Sequence, residues 1–130
     1  VSNSIADSNA GSYDFHLAIH TNAAPERLSG MIRGSDAYYY RDSSAGRRDA
    51  EIIANNLKLI YPLPSRVMVI PTTTLVELRR TKAPAVLVEV AYHDNAEDAE
   101  WIRGNIEAIG RNLALSVADI LGVAFVEPSS

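Results

Sequence analysis

The 130-residue chain contains no cysteine, few aromatic residues and no long hydrophobic run. Without cysteine the protein can form no disulfide bond and has no thiolate to bind a metal or attack a substrate. Any metal ion must therefore be held by histidine and carboxylate side chains. Apolar runs such as residues 85–88 are far too short to cross a bilayer, so the sequence predicts no membrane-spanning segment.

The composition is that of an ordinary globular domain. Hydrophobic residues make up 47% of the chain and charged residues 22%, so residues 1–130 are predicted to form one compact domain. The net charge of −4 argues against a nucleic-acid partner, because a phosphate backbone requires clustered positive surface. The two basic pairs, Arg47-Arg48 and Arg79-Arg80, are interpreted as solvated surface.

Strand-like and helical patterns alternate along the chain. Strands are predicted at residues 14–20, 35–40, 67–70 and 85–91, the second of them as an edge strand. Helices are predicted from Ser43 or Ser44 to about Tyr61, and from Asp94 or Asn95 to Gly122 with Gly104 and Gly110 as candidate breaks. This alternation favours parallel pairing with right-handed crossovers. It predicts a three-layer α/β/α domain with a mostly parallel sheet, phosphorylase/hydrolase-like in type.

His20 ends the first predicted strand, where the chain opens into a loop. In open α/β sheets ligands bind beyond the carboxyl ends of the strands, so His20 is a candidate metal ligand, with a hydrogen-bonded histidine as the alternative. At about 3.3 Å per strand residue, His16 lies about 13 Å from His20, so the two cannot share one ion. We interpret His16 as a hydrogen-bonded core histidine or one that faces a helix. His93 is interpreted as an exposed loop histidine, and the alternative is that it faces the same cleft as Glu89.

Glu89 is the single carboxylate in the predicted strand at residues 85–91, where Val88 and Val90 flank it. Burying an ionised carboxylate is costly unless it is paired, bound to a metal or protonated. A salt bridge to an arginine and a role in chemistry are therefore both open for Glu89. Because it lies near the end of its strand, it is expected at the same sheet edge as His20.

Two segments resemble the motifs of a known family. The chain contains AIHTNA at residues 18–23 and PAVLVEV at residues 84–90, followed by Asn95. These segments resemble those of the zinc-dependent N-acetylmuramoyl-L-alanine amidases, which cleave bacterial peptidoglycan. Their order and spacing agree with that family, and the resemblance extends from about Asp14 to Leu121.

The resemblance implies roles for three residues. His20 would be a zinc ligand, Glu89 would handle the proton of the zinc-bound water, and Asn22 would orient the site or contact the substrate. A turn-forming role is the alternative for Asn22. The implied cofactor is Zn²⁺, which lowers the pKa of a bound water to about 7 and polarises the carbonyl group of the substrate.

The chain also departs from the family it resembles. Members carry two further zinc ligands upstream, a histidine in a glycine-rich motif and a glutamate in the following helix, whereas this chain has no His-Gly-Gly segment. Because the chain also begins with Val1, we expect the C-terminal portion of an amidase domain, lacking its N-terminal strand, helix and two metal ligands. The sheet would then expose an unpaired edge, through which the chain is expected to self-associate.

The function implied by the resemblance is hydrolysis of the amide bond between N-acetylmuramic acid and L-alanine, with peptidoglycan as the partner. Such an enzyme would act extracellularly or at the bacterial cell wall, as an autolysin, a spore-related enzyme or a phage lysin. A non-catalytic peptidoglycan-binding or regulatory module with an incomplete metal site is the alternative. A zinc peptidase of related layout is a weaker hypothesis, because it does not account for the match at residues 18–23.

Overall fold

The computed structural model describes residues 2–11 and 13–127 of the chain. Its strands are β1 (His16–Asn22), β2 (Ser35–Tyr40), β3 (Val67–Thr72) and β4 (Ala85–Tyr92). Its helices are α1 (Ser2–Gly11), α2 (Ser44–Leu57), α3 (Val76–Arg80), α4 (Ala96–Gly104) and α5 (Ile106–Leu121). Short 3-10 helices occupy Glu26–Leu28 and Pro64–Arg66.

The four strands form one mixed sheet in the order β1-β4-β2-β3. The pairs β1/β4 and β2/β3 are parallel, whereas β2 and β4 run antiparallel. The predicted position of residues 35–40 at a sheet edge is wrong, because β2 lies between β4 and β3. Its inner position follows from burial on both faces, and β3 takes the edge instead, where the missing N–H of Pro71 is tolerated.

Helices cover both faces of the sheet, as the predicted three-layer α/β/α arrangement requires. The larger core lies between the sheet and helices α2 and α5, and Ile53, Leu57, Val86 and Val88 are fully buried there. On the opposite face α3 covers a smaller cluster built around Leu78 and Leu87, and α1 packs against α3. In the described part of the chain, no helix combines the length and apolarity needed to span a membrane.

The connection after β4 is fixed by local chemistry. The side chain of Asn95 accepts a hydrogen bond from the backbone N–H of Asp98 (2.9 Å), which makes Asn95 the N-cap of α4. The predicted break at Gly104 is confirmed, since α4 ends there, whereas Gly110 lies inside α5. At the end of α5, Gly122 adopts the left-handed conformation (φ 68°) that favours glycine.

Removing the cap is expected to weaken the structure by a measurable amount. The amide of Asn95 caps α4 and also donates to the carbonyl oxygen of Gly30 (2.9 Å). Asn95→Ala should therefore lower the free energy of unfolding by about 1–2 kcal/mol, as measured by urea denaturation. Asn95→Asp keeps the capping oxygen and should lose less, and equal losses in the two variants would contradict the capping role.

A buried carboxylate joins the long loop after β1 to the end of β4. Asp98 is fully buried and accepts hydrogen bonds from the Nε of Arg33 (2.8 Å) and the hydroxyl of Tyr61 (2.7 Å). It also accepts bonds from the backbone N–H groups of Tyr92 (3.0 Å) and Gly34 (3.2 Å). Burial alone would raise the pKa of Asp98, but these donors outweigh burial and hold the pKa below its ordinary value.

Candidate active site

His20 and Glu89 are direct neighbours in the sheet. The parallel register of β1 and β4 places His20 opposite Glu89, so their side chains point to the same face. Beyond this pair the register of the two strands shifts between His20 and Asn22. The sequence predicted His20 and Glu89 at the carboxyl ends of neighbouring strands, and in the structure they lie side by side there.

A third polar residue, Asp36, continues this row. The antiparallel register of β2 and β4 places Asp36 opposite Glu89, on the side away from His20. Because β2 is antiparallel to β4, the N-terminal end of β2 lies next to the carboxyl ends of β1 and β4. The sequence analysis missed Asp36, since only the strand direction brings it to this edge. We refer to His20, Glu89 and Asp36 as the polar row.

The polar row holds a carboxylate that resists ionisation. Burial raises the pKa of Glu89; the imidazole of His20 opposes that rise, Asp36 adds to it, and His93 opposes it. Burial likewise raises the pKa of Asp36, which is only 9% exposed. The Oε2 atom of Glu89 is buried and has no hydrogen-bond partner among the described residues. No arginine pairs with Glu89 in the described part of the chain, so the salt-bridge alternative receives no support.

The raised pKa of Glu89 has a consequence for stability. A carboxyl group with a raised pKa ionises less readily in the folded state than in the unfolded state. The folded state therefore carries a cost at neutral pH, and this cost disappears as the pH falls below the unfolded pKa of about 4.3. Glu89→Gln removes the charge and should raise the Tm at pH 7, with a smaller gain near pH 4.

Thermal unfolding at the two pH values checks this expectation. Glu100→Gln is the matched control, because Glu100 is an exposed acid on α4 and its loss should leave the Tm unchanged. An unchanged or lower Tm for Glu89→Gln at pH 7 would show that the carboxylate is stabilised in the fold.

A cleft of about 480 Å³ opens beside the polar row. His20 and Glu89 line it together with Leu87 and the segment from Thr74 to Glu77. This segment, at the start of α3, forms a largely apolar wall facing the two polar side chains. The cleft therefore combines a proton-accepting group and an imidazole with an apolar surface, which is typical of a site for a small organic group.

His16 forms a hydrogen bond outside the polar row, as the sequence predicts. Its Nε2 lies 2.8 Å from the Oε1 of Glu77, which also accepts a hydrogen bond from the hydroxyl of Ser4 (3.0 Å). Burial would raise the pKa of Glu77, but the bonds from His16 and Ser4 outweigh burial and lower the pKa. This buried pair fixes α3, and with it the wall of the cleft, against β1.

Asn22, the last residue of β1, and His93, the first residue after β4, border the polar row. The Oδ1 of Asn22 accepts a hydrogen bond from the backbone N–H of Ala23 (2.9 Å), which is the local bond of a turn-forming asparagine. The contact of Asn22 with substrate stays a prediction. His93 is exposed, as the sequence predicts, and its Nδ1 lies 2.8 Å from the hydroxyl oxygen of Thr21. The influence of His93 on the pKa of Glu89 agrees with the alternative that His93 faces the same cleft.

The described residues do not complete a metal site. Within residues 2–11 and 13–127, no three histidine, cysteine, aspartate or glutamate side chains converge in a way that could hold a metal ion. His20 offers one imidazole, and Glu89, whose buried Oε2 has no partner among the described residues, lines the same cleft. This donor set matches one ligand and one proton acceptor of a zinc hydrolase, whose metal needs three protein ligands.

The family is decided by comparison with known proteins. Residues 1–119 match the model of a family described as N-acetylmuramoyl-L-alanine amidase. The chain belongs to this amidase family. No curated protein sequence matches the chain. The family match covers both segments that carry the resemblance, including His20 and Glu89.

Solved structures of amidases have the same fold. The catalytic domain of the CD27L endolysin, which targets Clostridia difficile, is 28% identical with a TM-score of 0.76, over 96% of this chain and 63% of that one. The CwlD amidase from Clostridioides difficile, solved with the GerS lipoprotein, is 18% identical with a TM-score of 0.83, over 95% and 62%. The catalytic domain of CwlV, an N-acetylmuramoyl-L-alanine amidase from Bacillus (Paenibacillus) polymyxa, is 22% identical with a TM-score of 0.75, over 92% and 64%.

The likeness to the last two structures shows the fold alone, because each is less than a quarter identical in sequence. In all three comparisons this amidase-family chain spans just under two thirds of the length of the solved protein. The α/β layout predicted from the sequence is therefore confirmed both by the fold and by its structural neighbours.

Proposed function

We propose that the chain is part of a catalytic domain that hydrolyses the amide bond between N-acetylmuramic acid and L-alanine in bacterial peptidoglycan, with zinc as its cofactor. The observation that carries this proposal is the register of His20 and Glu89, which sets an imidazole beside a carboxyl group in one cleft. Membership of the amidase family supports the bond that is cleaved.

His20 is proposed as one zinc ligand, and the remaining ligands would come from the proposed further strand and helix of the domain. When bound, zinc would polarise the amide carbonyl and acidify a water molecule. Glu89 would accept the proton from that water and pass it to the leaving amine, and its raised pKa suits both steps. Asp36 would help to keep the proton affinity of Glu89 high, and Asn22 would contact the substrate.

We also propose that the catalytic domain includes a further strand and helix, which lie beside β1. The outer edge of β1 has no partner strand among the described residues, and Ile19 on that strand is 56% exposed. A groove of about 430 Å³ adjoins it, in which Ile106 of α5 is 66% exposed. An edge strand next to an apolar groove favours pairing with a further strand, and in its absence a second copy of the chain would pair there.

The proposed place of action is the bacterial cell wall, outside the cytoplasm, with peptidoglycan as the partner. Two features support it: the family acts on a bond of the wall polymer, and one structural neighbour is described as an endolysin. An autolysin and a phage lysin would use the same site in the same way.

The test uses the domain together with the proposed further strand and helix. Elemental analysis should give about one zinc per chain, and mass spectrometry of digested peptidoglycan should show free stem peptides beginning with L-alanine. His20→Ala should lose both the zinc and the activity. A metal-free domain that binds peptidoglycan without releasing peptides would instead identify a non-catalytic module, which the incomplete donor set of the described residues favours as the second candidate.

A further inference from the structure

Three apolar side chains line the cleft beside the polar row. They are Leu75, Val76 and Leu87, and we call them the apolar patch. Leu87 is almost fully buried and Leu75 packs against the same small core, whereas Val76 is 37% exposed. Val76 is therefore the member of the patch with the most surface left for a bound molecule to cover.

Val76 begins α3, a helix that cannot hold its position alone. α3 has five residues, and Leu75 at its N-cap position makes no capping hydrogen bond through its side chain. Helices this short are unstable in water unless the rest of the protein holds them. The place of Val76 in the cleft therefore depends on the contacts that α3 makes with other elements.

Side chains from β1 and α1 hold α3 at both ends. At its start, the carboxylate of Glu77 is bonded to one side chain of β1 and one of α1. At its end, the amide of Asn9 donates to the carbonyl oxygen of Arg80 (3.1 Å) and accepts from the backbone N–H of Lys82 (2.8 Å). The apolar patch is consequently a supported surface, which can distinguish ligands by size and polarity.

The proposed reaction brings one particular part of the substrate into this cleft. Glu89 must come within about 3 Å of the leaving nitrogen to give it a proton. That nitrogen belongs to the first residue of the stem peptide, and the side chain of this residue begins two bonds away, at about 2.5 Å. Because Glu89 and Val76 line the same cleft, the first side chain enters the space that the apolar patch borders.

The polar groups that line the cleft are already occupied. The hydroxyl of Thr74 lies 3.2 Å from that of Thr72, and the carboxylate of Glu77 is bonded as described. His20 and Glu89 are committed to the proposed reaction. A polar side chain against the apolar patch would lose water without gaining a hydrogen bond, whereas a methyl group would gain from burial.

We propose that the apolar patch is the subsite for the first side chain of the stem peptide, and that Val76 makes it selective for a small alkyl group such as the methyl of L-alanine. This inference rests on the proposed function and deepens it. It assigns the choice of amino acid at the cleaved bond to α3, apart from the residues that carry out the chemistry.

The experiment compares kcat/KM for muropeptides whose first residue is L-alanine, glycine or L-serine, using the zinc-loaded domain with the proposed further strand and helix. The parent should prefer L-alanine to glycine about tenfold, the effect of one methyl group in an apolar pocket. Val76→Thr keeps the shape of the side chain but adds a hydroxyl, and should reduce this preference to about threefold or less. Val76→Ile keeps the apolar surface and should retain the preference.

Val123→Thr is the matched control, because Val123 is an exposed valine outside the residues that line the cleft. It should leave the preference unchanged. Each ratio compares two substrates on one variant, so a general loss of folded protein cancels.

An unchanged preference for L-alanine in Val76→Thr would overturn the subsite while leaving the proposed function intact. A muropeptide that lacks the lactyl methyl group tests the other side of the cleaved bond. If Val76→Thr altered only the preference for that methyl group, the assignment to the first residue would be wrong. If the zinc-loaded parent cleaved none of the muropeptides, the proposed function would fail, and the subsite with it.

Discussion

Glu89→Gln in the complete catalytic domain is expected to lower kcat for muropeptide hydrolysis by about 10²–10⁴-fold, the usual contribution of a general acid–base group. Glutamine has nearly the same shape as glutamate but cannot accept the proton. Since Glu89 shares its cleft with His20, the loss should appear in kcat while KM changes little. Steady-state kinetics with a soluble muropeptide measures both constants.

Two comparisons sharpen this expectation. Glu100→Gln on α4 should keep normal kcat, because this exposed acid lies outside the residues that line the cleft. The same Glu89→Gln variant should be more heat-stable than the parent at pH 7, since it removes a carboxyl group whose charge the fold opposes. A variant that kept more than about a tenth of the activity would exclude Glu89 as the proton acceptor.

Asp98→Ala is expected to lower the free energy of unfolding by about 3–5 kcal/mol, because it leaves the charge of Arg33 without its buried partner. The hydroxyl of Tyr61 and the N–H groups of Tyr92 and Gly34 lose their acceptor at the same time. Urea denaturation with an unchanged m value would measure the loss. Asp119→Ala, which removes an exposed acid from α5, should cost little.

The pH dependence of the parent protein tests the same residue. The pKa of Asp98 is lowered in the fold, so its stabilising contribution is present above the unfolded value of about 3.9. That contribution is lost as the pH falls further, through the lower pKa of the folded state. Asp98→Ala should therefore show a flatter loss of stability below pH 4, and parallel curves for parent and variant would contradict the role given to Asp98.

The sequence predicted the parts of the fold that depend on local pattern. The strand at residues 85–91 follows from an apolar run that only Glu89 interrupts, and the cap at Asn95 follows from a capping residue before a helix. The proximity of His20 and Glu89 was predicted from one rule, that the carboxyl ends of parallel strands lie at the same end of the sheet. Each of these inferences needs only a short stretch of chain.

Features that depend on strand order escaped sequence reasoning. Nothing local indicates that β2 enters the sheet between β4 and β3, and consequently Asp36 was not recognised as a neighbour of Glu89. The pairing of His16 with Glu77 was not predicted either. Glu77 lies on α3, a five-residue helix that is too short to give a clear periodic signal. The family match accounts for the overall layout but gives no role to Asp36 or Glu77.

The most direct test of the central claim is anomalous X-ray scattering at the zinc edge, on crystals of the complete catalytic domain. The account predicts zinc bound to the imidazole of His20, with the carboxyl group of Glu89 facing the open side of the ion and not coordinating it. Zinc held elsewhere, or held without His20, would contradict the proposed site.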